Sequence, residues 1–241
     1  MSCAHANITV SNLQREQVMY ILYGGRFTRA LMTEMVLLEG DIPYELRAVD
    51  IVKHEHLQPE FLAINPAGWV PALITPEGQT LYETPAINLY LAEQHQLTTL
   101  APAPGEADRG PFLSAYFYLV DELEPVLKRY FYPHRFVVRE EDTPTMQQMA
   151  LEAAMKRIAV IDQRLSENGP YHLGKRFGLA DLNLSFWAAP LEANGLLEAY
   201  PAVRHCLGLV TPRPRISAKF AEQAVENAEY AELYERGEGV R

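Results

Sequence analysis

The side chains able to do chemistry in this chain fall in a few short stretches. Thr28 stands where the turn Gly24-Gly25-Arg26-Phe27 passes into a helix-type segment. A hydroxyl at a helix N-terminus either caps the backbone or donates a hydrogen bond to an anion. Lys53-His54-Glu55-His56 gathers an ammonium and two imidazoles; the H-x-H spacing suits a metal, but no third ligand cluster accompanies it, and no metal is expected. Val70-Pro71 puts a proline at the entrance to a strand, a position that asks for an edge or a turn. Glu83-Thr84 sets a carboxylate beside a hydroxyl at the start of another helix, which is either an exposed charge next to an N-cap or an anion-binding helix end. Seven aromatic residues between Tyr116 and Phe136 are mostly core at their helical spacing, yet enough of them to wall a site for an apolar or aromatic molecule. Cys3 and Cys206 are far apart and outside any C-x-x-C pair; Cys206, in an apolar helical stretch, reads as a small buried hydrophobe.

The elements that must position these groups change character once, near residue 100. Before it, Val18–Tyr23 reads as a buried strand, 28–38 as a helix ended by Gly40, and 44–49 as a second strand. A short helical piece at 59–64 precedes Ala72-Leu73-Ile74 and Thr80-Leu81-Tyr82, which form a hairpin across Pro76-Glu77-Gly78. Thr84-Pro85 then opens a helix, with Thr84 as N-cap and Pro85 at the first helical position. The order is βαβα then ββα. Ala101-Pro-Ala-Pro-Gly105 is a linker, and after it the strands stop: 112–132, 145–165, 179–193 and 203–209 all read as helices. From Ala221 an alanine stripe (Ala221, Ala224, Ala228, Ala231) marks a last, acidic helix that frays at its end.

The chain has 241 residues and a formal charge of −10, with 48% hydrophobic residues. An acidic chain without a Lys/Arg cluster does not suit nucleic acid or an anionic membrane surface, since both need a local positive field. No apolar run approaches the roughly 18 residues of a membrane span, and the N-terminal residues lack a signal-peptide pattern, so a cytoplasmic protein is expected. Residues 1–100 hold 5 basic and 11 acidic residues, 101–220 hold 14 of each, and 221–241 hold 2 and 6, dividing the charge as −6, 0 and −4.

Asn65-Pro66-Ala67-Gly68-Trp69-Val70-Pro71-Ala72-Leu73 resembles the N-P-x-G-x-V-P-A-L segment of the glutathione transferase superfamily, and Leu81-Tyr82-Glu83-Thr84-Pro85-Ala86-Ile87 resembles its L-x-E-S-x-A-I segment. Phe177-Gly178-Leu179-Ala180-Asp181 is similar to the family's F-S/T-x-A-D segment, with Gly178 where a Ser or Thr cap is usual. The resemblance implies an N-terminal thioredoxin-like α/β domain over 18–97, a linker over 98–108, an all-α helical domain over 109–220 and an acidic C-terminal helix or tail over 221–241.

It also implies a site. The Val70-Pro71 bond would be cis, leaving the Val70 backbone to pair with glutathione as an added strand does. Glu83 would meet the γ-glutamyl ammonium, Thr84 and its helix start the adjacent carboxylate, and His56 or Lys53 the glycine carboxylate. Thr28 falls where relatives carry a catalytic Ser or Cys; its hydroxyl would favour the glutathione thiolate. Arg29 would add positive potential near the sulfur or face the second domain, and Trp69 would wall the site or simply pack. Phe27 and Tyr116 would line the pocket of a hydrophobic electrophile, with Tyr130 and Tyr132 as further candidates. A cytoplasmic, homodimeric detoxification enzyme follows from the resemblance, with glutathione as co-substrate. Its alternatives are a non-catalytic binding module of the same fold and a glutathione-dependent peroxidase or thiol oxidoreductase. Because glutathione is itself anionic and its domain is negative, local groups at Lys53, His56, Arg29 and the two helix starts must hold it.

Overall fold

A computed structural model describes residues 19–236. Strand β1 (Tyr20–Gly24) lies parallel to β2 (Tyr44–Ala48), joined through helix α1 (Ala30–Glu39). The short helix α2 (Pro59–Leu62) leads to β3 (Ala72–Ile74), which pairs antiparallel with both β1 and β4 (Thr80–Tyr82). The sheet order is β2-β1-β3-β4. Leu22 opposite Leu73 places two fully buried leucines at the centre of the sheet, against Met35 and Val36 of α1 and Ile87 and Leu91 of α3 (Thr84–Gln94). Each such side chain contributes roughly 1.5–3 kcal/mol of burial.

The remainder is helical: α4 (Arg109–Tyr118), α5 (Glu124–Phe131), α6 (Thr143–Asn168), α7 (Leu179–Ala193), α8 (Pro201–Val210) and α9 (Ser217–Glu235). The segment expected as one helix over 112–132 is broken by a π-helical turn at Leu119–Leu123, where the Glu124 N–H bonds to the Leu119 carbonyl. Pro125 explains it: without an N–H it cannot continue the α ladder, and its ring crowds the carbonyl four residues back. The extra residue turns Glu124 inward, to 3% exposure. One hydrophobic cluster runs from the sheet through α1 and α3 into α4–α8, so the α/β and helical halves share a core.

Two sequence expectations shift. Glu83, not Thr84, is the N-cap of α3, at φ 69°, and Thr84 is the first helical residue. Helix α9 runs unbroken across the boundary placed between residues 220 and 221, and its alanine stripe is the exposed face; the buried residues are Phe220, Gln223 and Glu226. That face is polar because it looks onto a cavity rather than the core. Val18 of the expected first strand, Cys3 and the residues beyond 236, where fraying is expected, lie outside the described residues.

Candidate active site between the sheet and the helices

A cavity of about 750 Å³ opens between the ends of β1 and β3 and helices α5, α7 and α9. From the α/β half it is lined by Phe27, Thr28, Arg29, His56, Trp69, Val70 and Glu83. The turn Gly24–Arg29 is built by a short β1 that ends at glycine and by Phe27 in the left-handed region, φ 63°. Thr28, 8% exposed, donates its hydroxyl to the Gly25 carbonyl at 2.6 Å and accepts the Ala30 N–H at 3.3 Å. It thus caps the start of α1.

Val70-Pro71 is cis, as expected, and Val70 lines the cavity. Asn65 shapes this loop: its side-chain amide donates to the Trp69 carbonyl at 2.7 Å and its Oδ1 accepts the Ala67 N–H at 3.1 Å. Trp69 lines the cavity and is 58% exposed. His56 is buried with Nδ1 unpartnered; burial above all, with His54 and Arg135 nearby, pushes its imidazole below the ordinary value. Thr84, beside the lining Glu83, is also buried with Oγ1 unpartnered. Buried polar atoms without a protein partner are costly in a native fold unless water or a ligand satisfies them.

Lys53 does not join this group. It is exposed, pairs with Asp50 at 2.9 Å, and lines a neighbouring cavity on the far side of the Phe27 turn. Tyr116 is likewise not a lining residue: it is fully buried, stacked on Phe112 at 5.6 Å in the core between the halves. On the second turn of α4, its hydroxyl points at the Pro85 carbonyl of α3, 3.5 Å away, rather than at the cavity. Cys206 is fully buried, as expected, and burial pushes its thiol up. Among the described residues no three His, Cys, Asp or Glu gather as a metal site.

The helical half supplies a wall that the sequence reading met only in part. Phe131, Tyr132 and Phe136 come from the aromatic stretch; Phe186, Trp187, Gln223, Glu226 and Tyr230 come from α7 and α9. Glu226 Oε2 accepts the Phe27 N–H at 2.8 Å, Tyr230 packs on the Phe27 ring at 5.4 Å, and Arg26 pairs with Glu229. Burial raises the Glu226 carboxyl above its ordinary range, against the opposing hydrogen bond from Phe27. The spacing 223, 226, 230 is one helical face, a signal present in the sequence but masked by the alanines.

A thioredoxin-like α/β half followed by an all-helical half, with a cavity between them bounded by the β1–α1 turn and the cis-proline loop, defines the class of protein. The family model for the glutathione S-transferase N-terminal domain matches residues 18–93. The chain is 29% identical to glutathione S-transferase 3 of Zea mays over 74% of this chain and 82% of the relative. It is 29% identical to the disulfide-bond oxidoreductase YfcG of Escherichia coli (75% and 84%) and 28% to a maleylacetoacetate isomerase of Pseudomonas aeruginosa (78% and 89%). Among solved structures, a Sulfitobacter glutathione transferase homologue with bound glutathione superposes with a TM-score of 0.71 at 28% identity, covering 83% of this chain and 96% of the other. A Phanerochaete chrysosporium glutathione transferase in complex with oxidized glutathione shares the fold, with a TM-score of 0.77 at 24% identity over 86% and 97%. The family match is to residues 18–93, and the likeness to these relatives extends over about three quarters of the chain at 28–29% identity.

Proposed function

We propose that the protein is a glutathione transferase that activates the glutathione thiolate for attack on a hydrophobic electrophile. One observation carries the reading: Thr28, His56, Val70 and Glu83 line a single cavity whose opposite wall is aromatic, so a polar and an apolar half meet at the Thr28 turn. Glu83 pairs with the γ-glutamyl ammonium, while Thr84 Oγ1 and the first-turn N–H groups of α3 take its carboxylate. The Val70 backbone pairs with the cysteinyl peptide, and His56 takes the glycine carboxylate.

At the sulfur, rotation about the Thr28 Cβ–Oγ bond turns the hydroxyl proton from the Gly25 carbonyl to the thiolate, while the oxygen still accepts the Ala30 N–H. The α1 N-terminus adds positive potential. The thiol proton leaves to solvent, a carbon–sulfur bond forms, and the leaving group departs with its bonding pair. The relatives' names span a transferase, an oxidoreductase and an isomerase. Transfer is favoured here because the aromatic wall suits an apolar second substrate, and Cys206, the cysteine among the described residues, is fully buried. The reading brings with it a cytoplasmic homodimer, which light scattering on the purified protein checks. No described helix is long and apolar enough to cross a membrane.

Millimolar glutathione should raise Tm by several degrees, as any ligand of the native state does. Glu83→Ala should weaken glutathione about tenfold, the worth of a charge-assisted hydrogen bond of about 1.5 kcal/mol; no thermal shift in the unmodified protein would remove the reading. The lowered His56 pKa leaves the imidazole neutral near pH 7, and a carboxylate beside it raises that value again, so binding takes up a proton. Affinity for S-methylglutathione should therefore increase as pH falls from about 7.5 towards 6, and His56→Gln should flatten the profile in calorimetric titrations.

A further inference from the structure

Two cations on the cavity wall share one carboxylate. Arg29 Nη1 and Lys128 Nζ lie 2.5 and 2.7 Å from Glu124 Oε1, and Glu124 is 3% exposed. One carboxylate neutralises one of the two, so the cluster presents a net positive charge to a cavity that both cations line. Lys128 on α5 stands one helical turn before Phe131 and the C-cap Tyr132, and all three line the cavity. Phe131 stacks on Trp187, with ring centroids 6.4 Å apart and planes 25° apart. Trp187 lines the cavity at 4% exposure, and its indole N–H has no hydrogen-bond partner.

The other carboxylates of the cavity do not cancel this charge. Glu226 is held by the Phe27 N–H, with burial favouring its neutral form, and Glu83 stands on the opposite wall at the start of α3. A neutral ring seated on Phe131 and Trp187 would strip water from the Lys128 ammonium and return nothing for it, whereas an anionic substituent repays that loss.

We propose that the aromatic wall takes an aromatic acid: a planar ring against Phe131, Tyr132 and Trp187, its carboxylate on Lys128, with Arg29 holding Glu124 behind it. This names the second substrate of the transferase and rests on that reading for its chemistry, though not for its binding. On an aryl chloride acid the glutathione sulfur forms the carbon–sulfur bond and chloride leaves with the electron pair.

The test separates binding from turnover. In a Trp69→Phe background Trp187 is the remaining tryptophan of the chain's two. Its fluorescence reports binding of 3-nitrobenzoate and of methyl 3-nitrobenzoate, an anion and a neutral ester larger by one methyl group. The acid should bind at least about tenfold more tightly than the ester; Lys128→Met should erase the difference and Lys128→Arg should keep it. Arg29 remains to pair Glu124 in both variants, so neither buries a lone carboxylate. Equal affinities, an acid preference that survives Lys128→Met, or no quenching by either compound would overturn the proposal. Turnover of 4-chloro-3-nitrobenzoate and its methyl ester with glutathione, each divided by its uncatalysed rate, tests the transferase reading independently: failure of both esters and acids to react would remove that reading while the quenching still decides the subsite.

Discussion

Asp181→Ala should lower Tm by roughly 10–15 °C, the consequence of about 3–5 kcal/mol lost from a domain of this size. Asp181 is 1% exposed at the start of α7. Its carboxylate accepts the Gly178 N–H, the His172 N–H and His172 Nδ1, each at 2.8 Å, with the Cys206 thiol at 3.8 Å. Truncation leaves these donors buried and unpaired, which costs more than the bonds contributed. Asp181→Asn keeps the volume and one acceptor, and should cost about half as much. Chemical denaturation with both variants checks the order; a change under about 1 kcal/mol for Asp181→Ala would contradict the account. The neighbouring Gly178 has its own reason. A Cβ there would meet the Leu100 carbonyl at 2.7 Å, and that carbonyl accepts the Leu179 N–H at 2.8 Å, so the linker is seated directly on the helix start. A Ser or Thr cap has no room, and Asp181 does the capping from inside the helix.

Thr28→Val should reduce kcat with glutathione and an aryl halide about 10²–10³-fold, the usual effect of deleting one donor that faces developing or resident negative charge. It should also cost about 1 kcal/mol of stability, because the hydroxyl caps α1 through Ala30 and closes the turn onto Gly25. The two effects separate in the pH profile. If the hydroxyl stabilises the thiolate, the limb of kcat at saturating glutathione that reports thiol ionisation should move towards the ordinary thiol value near 8.5 in Thr28→Val and return in Thr28→Ser. A Thr28→Val protein that loses stability alone, with the limb unmoved, would make Thr28 a cap and nothing more.

The α/β half was legible because its signals are local. Short β-rich runs closed by Gly24-Gly25 and by Pro76-Glu77-Gly78 have one reading as strands and turns, and the hairpin falls on the residues expected, Ala72–Ile74 and Thr80–Tyr82. The segments around Val70-Pro71 and Glu83-Thr84 carried the fold. What escaped depends on how distant elements meet. Tyr116 and Phe131 are both aromatic residues on neighbouring helical segments, and nothing local says that one enters the core and the other the cavity. The break at 119–123 was written in Pro125, but a proline in an apolar helical run is easily read as tolerated. Lys53 was assigned by its place in a loop, and an Asp three residues earlier takes its charge. In helix α9 the four alanines mark the helix but not its inner face, which is Gln223, Glu226 and Tyr230, because a cavity wall need not be apolar.

Glu226 reaches the Phe27 N–H across 199 residues of chain. At the usual synthesis rate of about 5–20 residues per second, the turn that carries Thr28 is made roughly 10–40 s before the carboxylate that fastens it. The turn stays unlatched until the last described helix arrives. The latch on the Phe27 turn is thus supplied by the last described helix, after every other described element has been made.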